Sequence, residues 1–61
     1  MSVPIADQIR CVEREIGMRR QVYPRRVSNR QMSEAQMTKE LAAMEAVLAT
    51  LKDVEAAGRL L

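Results

Sequence analysis

Apolar side chains recur at alternating spacings of four and three along residues 5–23 and again along residues 37–51, and that period leaves little choice of secondary structure. In the first segment Ile5, Ile9, Val12, Ile16, Arg19 and Tyr23 fall on one face of an α-helix in a heptad pattern. All but Arg19 are apolar or aromatic. In the second, Met37, Leu41, Met44, Leu48 and Leu51 repeat the spacing, and Val47 and Val54 widen the apolar face. A strand would alternate β-branched or aromatic residues with polar ones, and no segment does. Composition agrees with helices: two glycines, two prolines and one aromatic residue stand among many alanines, leucines, glutamates and arginines. The fold class expected is all-α.

Local signals set the expected boundaries. Pro4 suits a first helical turn, where amides have no intrahelical acceptor, and Asp7 places a negative charge at the positive helix start. Pro24 disfavours helical geometry at Tyr23 and has no amide to continue the ladder, so the first helix is predicted over about residues 4–22. The second has a clear start. Ser33 as N-cap and Gln36 three residues on form a capping box, with Met32 and Met37 placed as a hydrophobic staple. Gly58 offers a left-handed C-cap, with Leu60 and Leu61 beyond it, and predicts a second helix over about residues 34–57.

Two amphipathic helices joined by a connection over about residues 23–33 make an antiparallel hairpin, a single domain over residues 1–61. A chain of this length buries only about 60% of the surface it exposes when unfolded. Small folds are usually supported by disulfides, a metal or a second chain. With one cysteine, Cys11, and no histidine, an oligomer is the support to expect. Pairing of two hairpins would close a four-helix bundle. The core and dimer contacts would then come from Ile5, Ile9, Val12, Ile16, Met37, Leu41, Met44, Leu48 and Leu51. Ala35, Ala42, Ala49 and Ala56 lie seven apart on a flank of the second helix; alanine's high helix propensity accounts for them most simply.

Catalysis is not expected. The chain has no histidine, no glycine-rich phosphate loop and no cysteine or histidine cluster with metal-ligand spacing, so neither a metal nor a cofactor is anticipated. Glu13 and Glu15 point to different helix faces and cannot act as an acid/base pair, while Glu15 is placed to pair with Arg19 four residues on. No apolar run approaches the roughly 20 residues that cross a bilayer. The opening "MSVPIADQIR" lacks the charged and apolar regions of a signal peptide, so the expectation is a protein of the cytoplasm.

Charge is segregated along the chain. Residues 10–30 hold seven arginines against Glu13 and Glu15, net +5, whereas residues 31–61 hold three bases against five acids, net −2. Cations at a helix C-terminus are favourable, which accounts for Arg19 and Arg20. Arg25, Arg26 and Arg30 would have no such role in a connection, where glycine, asparagine or aspartate is the usual material. Arg20, Tyr23, Arg25, Arg26 and Arg30 are therefore the expected partner-binding residues, since arginine and tyrosine dominate interface hot spots. An acidic protein surface is one fitting partner and nucleic acid another, and arginines that merely keep the connection in solution are a third reading the sequence leaves open. The nucleic-acid reading is the weaker, because net charge is only +2, one tyrosine offers little base stacking, and no reader motif is visible.

The segments "CVEREI" (11–16), "RRQVYP" (19–24) and "MEAVLATL" (44–51) resemble the pattern of a group of small phage- and prophage-encoded helical proteins of undescribed function. That pattern runs Cys-Val-x-Arg-Glu-Ile, Arg-Arg-x-Val-Tyr-Pro and then a Met-Glu-Ala helix, and it covers most of the chain. This chain departs from it at Arg26, where tryptophan is frequent, and at "SNR", where glycine occurs in the connection. The resemblance implies a phage accessory protein in a bacterial host. Such a protein would bind and modulate, commonly inhibit, a host protein such as a defence component, CRISPR systems included, or a regulator.

Overall fold

The computed structural model describes residues 2–59 as two α-helices, α1 (Ile5–Ser28) and α2 (Glu34–Arg59), with no strand among them. Pro4 is the N-cap of α1 rather than part of its first turn, and its carbonyl accepts from the amides of Asp7 (3.0 Å) and Gln8 (3.1 Å). At the start of α2 the capping box forms as expected. The Gln36 amide donates to Ser33 Oγ (3.1 Å), and the Ser33 amide donates to Gln36 Oε1 (2.9 Å). Met32 and Met37, at the staple positions, are both half-buried.

The first helix does not stop before Pro24; it runs through it to Ser28. Proline removes one amide donor and crowds the carbonyl four residues back, but the penalty is confined to one turn. Continuation carries the apolar stripe one step past buried Tyr23 to half-buried Val27. It also reaches a strong stop. The Gln31 amide donates to the Arg26 carbonyl (2.8 Å) and the Arg30 amide to the Val27 carbonyl (3.1 Å), the paired bonds of a Schellman motif. Arg30 occupies the left-handed position of that motif, with φ of 60°. The connection is thus residues 29–33, not 23–33, and Arg25 and Arg26 belong to the last turn of α1. Gly58 likewise stays within α2 without a positive φ, so it is not a left-handed C-cap, and α2 continues to Arg59.

Two interhelix ion pairs show how the helices lie. Arg20 pairs with Glu45, and Glu13 with Lys52 at 4.0 Å. Seven residues back along α1 correspond to seven forward along α2, which makes the hairpin antiparallel. Its core is thin and one-sided. Ile9, Ile16 and Tyr23 are buried on α1, whereas the α2 stripe Met37, Leu41, Met44, Leu48 and Leu51 is only half-buried, as are Ile5 and Val12. Ala35, Ala42, Ala49 and Ala56 are exposed.

Two stability measurements follow from this packing. Ile16, at 4% exposure the most deeply buried side chain of the core, should cost about 2–5 kcal/mol when replaced by alanine, and half-buried Leu48→Ala should cost less. Melting followed by circular dichroism should rank them in that order. Arg30→Gly removes the clash of a side chain held in left-handed geometry and should stabilise the hairpin by about 0.5–1 kcal/mol. A lower melting temperature for that variant would contradict the Schellman assignment.

Candidate functional site at the arginine-rich end

The end of α1 and the turn gather the residues expected to meet a partner, but in distinct environments. Tyr23 closes the apolar stripe of α1 and is 8% exposed. Arg19 lies four residues before it and Arg26 three after, so all three share one helix face. Each guanidinium carbon stands 5.9 Å from the Tyr23 ring centroid. That distance is within cation–π range, where an exposed contact contributes about 0.5–1 kcal/mol. A shallow groove on this face is lined by Glu15, Met18, Arg19, Val22, Tyr23 and Arg26.

Arg19 is held firmly. Its Nε–H donates to Glu15 Oε1 at 2.8 Å, the pair anticipated from the spacing. That hydrogen bond is the main reason its pKa is raised; partial burial opposes it, and Tyr23, Glu15 and Glu40 add smaller electrostatic contributions in the same direction. Arg20, on the other flank of α1, is engaged by Glu45 of α2. Both members of that pair are substantially solvent-exposed, so its worth is about 0–1 kcal/mol, and it acts mainly on helix register.

Arg25, Arg26 and Arg30 differ from these two. All are exposed, and none forms an ion pair with any acid among the described residues. Arg25 and Arg26 sit where α1 presents its carbonyl end, so they do have a helix-end role, contrary to the expectation from a longer connection. Arg30 projects from the turn. The five expected residues therefore divide: Arg20 and Tyr23 join the framework, while Arg25, Arg26 and Arg30 form an uncompensated positive end. Arg19 belongs with Tyr23 as well, and its spacing from the tyrosine was the signal for that.

Among the described residues no three histidine, cysteine, aspartate or glutamate side chains come together as a metal-binding group. Cys11 is exposed and unbridged. No helix is long and apolar enough to cross a membrane, again among the described residues. Comparison with protein-family models, curated proteins and solved structures gives no match to this chain.

Tyr23 can be assigned by substitution. Its ring fills the end of the core, so Tyr23→Ala should cost about 3–5 kcal/mol, in the range of buried aromatic truncations. Its hydroxyl makes no hydrogen bond with any of the described residues, so Tyr23→Phe should stay within about 0.5 kcal/mol of the parent by thermal melting.

Proposed function

We propose that this chain is a non-catalytic accessory protein of phage type that docks on an acidic surface of a bacterial host protein through Arg25, Arg26 and Arg30, and so modulates that protein, most simply by inhibition. The observation that carries the reading is that, among the described residues, no acid pairs with three exposed arginines at one end of a hairpin whose other helix-borne arginines at that end, Arg19 and Arg20, are paired. Charges left without partners on a small framework are available for charge-assisted, bidentate hydrogen bonds to carboxylates. A defence component, such as part of a CRISPR system, or a regulator is the class of target that the phage resemblance suggests.

The thin core supports a second part of the reading, a homodimer in which two hairpins close a four-helix bundle. No residue of α2 is buried among those described, and exposed Val47 and Val54 lie beside its stripe. Nucleic acid fits the arginine end less well. The one aromatic ring that could stack on a base is Tyr23, and it is buried and flanked by two guanidinium groups.

The test replaces all three arginines at once, as Arg25→Ser, Arg26→Ser and Arg30→Gly, the last chosen to keep the turn unstrained. Helix content should be unchanged. Affinity capture from host lysate should lose its specific protein, while an Arg10→Ser control retains it. Wild-type protein should bind duplex DNA negligibly at physiological salt. Strong binding with a steep negative salt slope, flattened by the triple substitution, would move the assignment to nucleic acid.

A further inference from the structure

The hairpin has two unlike edges. On one, Glu13 and Arg20 of α1 face Lys52 and Glu45 of α2, so that edge is closed by ion pairs. The flanks on the other side of the two stripes must then face the opposite way. On α2 that flank carries Glu40, Val47 and Val54, spaced by seven; on α1 it carries Glu15 and Val22, with Met18 beyond. The electrostatic influence of Glu40 on Arg19, the stripe residue beside the α1 flank, agrees with these flanks being neighbours. Met18, Val47 and Val54 are 52%, 46% and 54% exposed. They are the large exposed apolar side chains of the two helices, and all fall on this edge.

Area and charge say what covers it. The chain exposes 4968 Å², against about 4,000 Å² for a compact folded monomer of its mass. The excess is comparable to the roughly 800 Å² that each partner buries in a standard stable interface. Charge is also polarised along the 48 Å length of the hairpin. The half nearer the turn, residues 17–47, holds six bases against three acids, net +3; the other half, residues 1–16 and 48–61, holds four against five, net −1.

Building on the homodimer reading above, we propose that the valine edge, centred on Val47, Val54, Val22 and Met18, is covered by the same edge of a second copy lying antiparallel to the first. The basic turn end of each hairpin then lies over the less basic end of its partner, and the ion-paired edges face outward. A parallel arrangement would stack the two basic ends on each other, a like-charge juxtaposition that electrostatic complementarity disfavours. The two sets of Arg25, Arg26 and Arg30 consequently sit at opposite ends of the bundle. Such a dimer presents two arginine ends to a partner that is itself two-fold or carries two acidic sites, with the gain in avidity that simultaneous engagement gives.

Sedimentation of the whole chain, together with spin-label distances, tests the face and the polarity separately. Val47→Glu with Val54→Glu should halve the sedimenting mass to the 6.9 kDa of one chain, whereas Ala42→Glu with Ala49→Glu, on the exposed alanine flank, should leave the dimer intact. A dimer that survives the valine changes, or dissolves on the alanine changes, overturns the face. In a Cys11→Ser, Ser28→Cys chain, labels near the turn should lie on the order of 35 Å apart along the bundle axis at 1.5 Å per residue. Separation within about 20 Å, the reach across adjacent helices 8–10 Å apart, overturns the antiparallel order. The label measurement is made on the dimer itself, so it stands even if the valine variant unfolds. Wild type sedimenting as one chain at micromolar concentration removes the homodimer reading, and this proposal with it.

Discussion

The row Ile9, Ile16 and Tyr23 against the stripe of α2 is the contact on which the rest of the molecule depends, since it contains every buried side chain described. Burying three large side chains supplies roughly 1.5–3 kcal/mol each relative to exposure, before the entropy of ordering the chain is set against it. A fold with so little in reserve must conserve stability elsewhere. It does so in the local details: reciprocal capping bonds at Ser33 and Gln36, two hydrogen bonds closing the Schellman turn, and ion pairs that hold register along one edge.

Those details also set the geometry of the arginine end. Tyr23 is fixed by burial, and from it the helix carries Arg26 onto the ring face and Arg25 to the solvent side of the last turn. The turn then directs Arg30 outward by a left-handed backbone step. The positive end is consequently carried mainly on helix rather than on a floppy connection. Less side-chain and backbone freedom remains to be lost when a partner binds, which favours affinity.

The parts of this arrangement that could be read directly from sequence are those set within one helical turn. The heptad rows, the capping box of Ser33 and Gln36, and the Glu15–Arg19 pair all join residues three or four apart. What escaped were contests between a local preference and a longer-range gain. Pro24 signals a helix end, yet Val27 offers another turn of the apolar stripe and the Schellman bonds satisfy the carbonyls beyond it. Arg30 carries no sign of left-handed geometry, for which glycine or asparagine is the ordinary marker, so the turn was expected to be longer and the arginines looser. The pairing of Arg20 with Glu45, twenty-five residues on, depends on which edge of the hairpin each helix presents. Helical period alone leaves that open.

The proline inside α1 has a further consequence for how the arginine end behaves in time. Pro24 has no amide to give the Arg20 carbonyl, so the final turn, residues 25–28, is joined to the body of α1 by a ladder with one rung missing. Helices open most readily where hydrogen bonds are few and burial is slight. Among the described residues, the anchors beyond the gap are the contact of Arg26 with the Tyr23 ring, half-buried Val27 and the turn itself. Opening would carry Arg25 and Arg26 away from their places, and a ligand that grips both in helical spacing would hold the turn shut. Slowed amide exchange confined to this last turn, with no change along the rest of α1, would therefore mark an encounter at the arginines even before its partner had been identified.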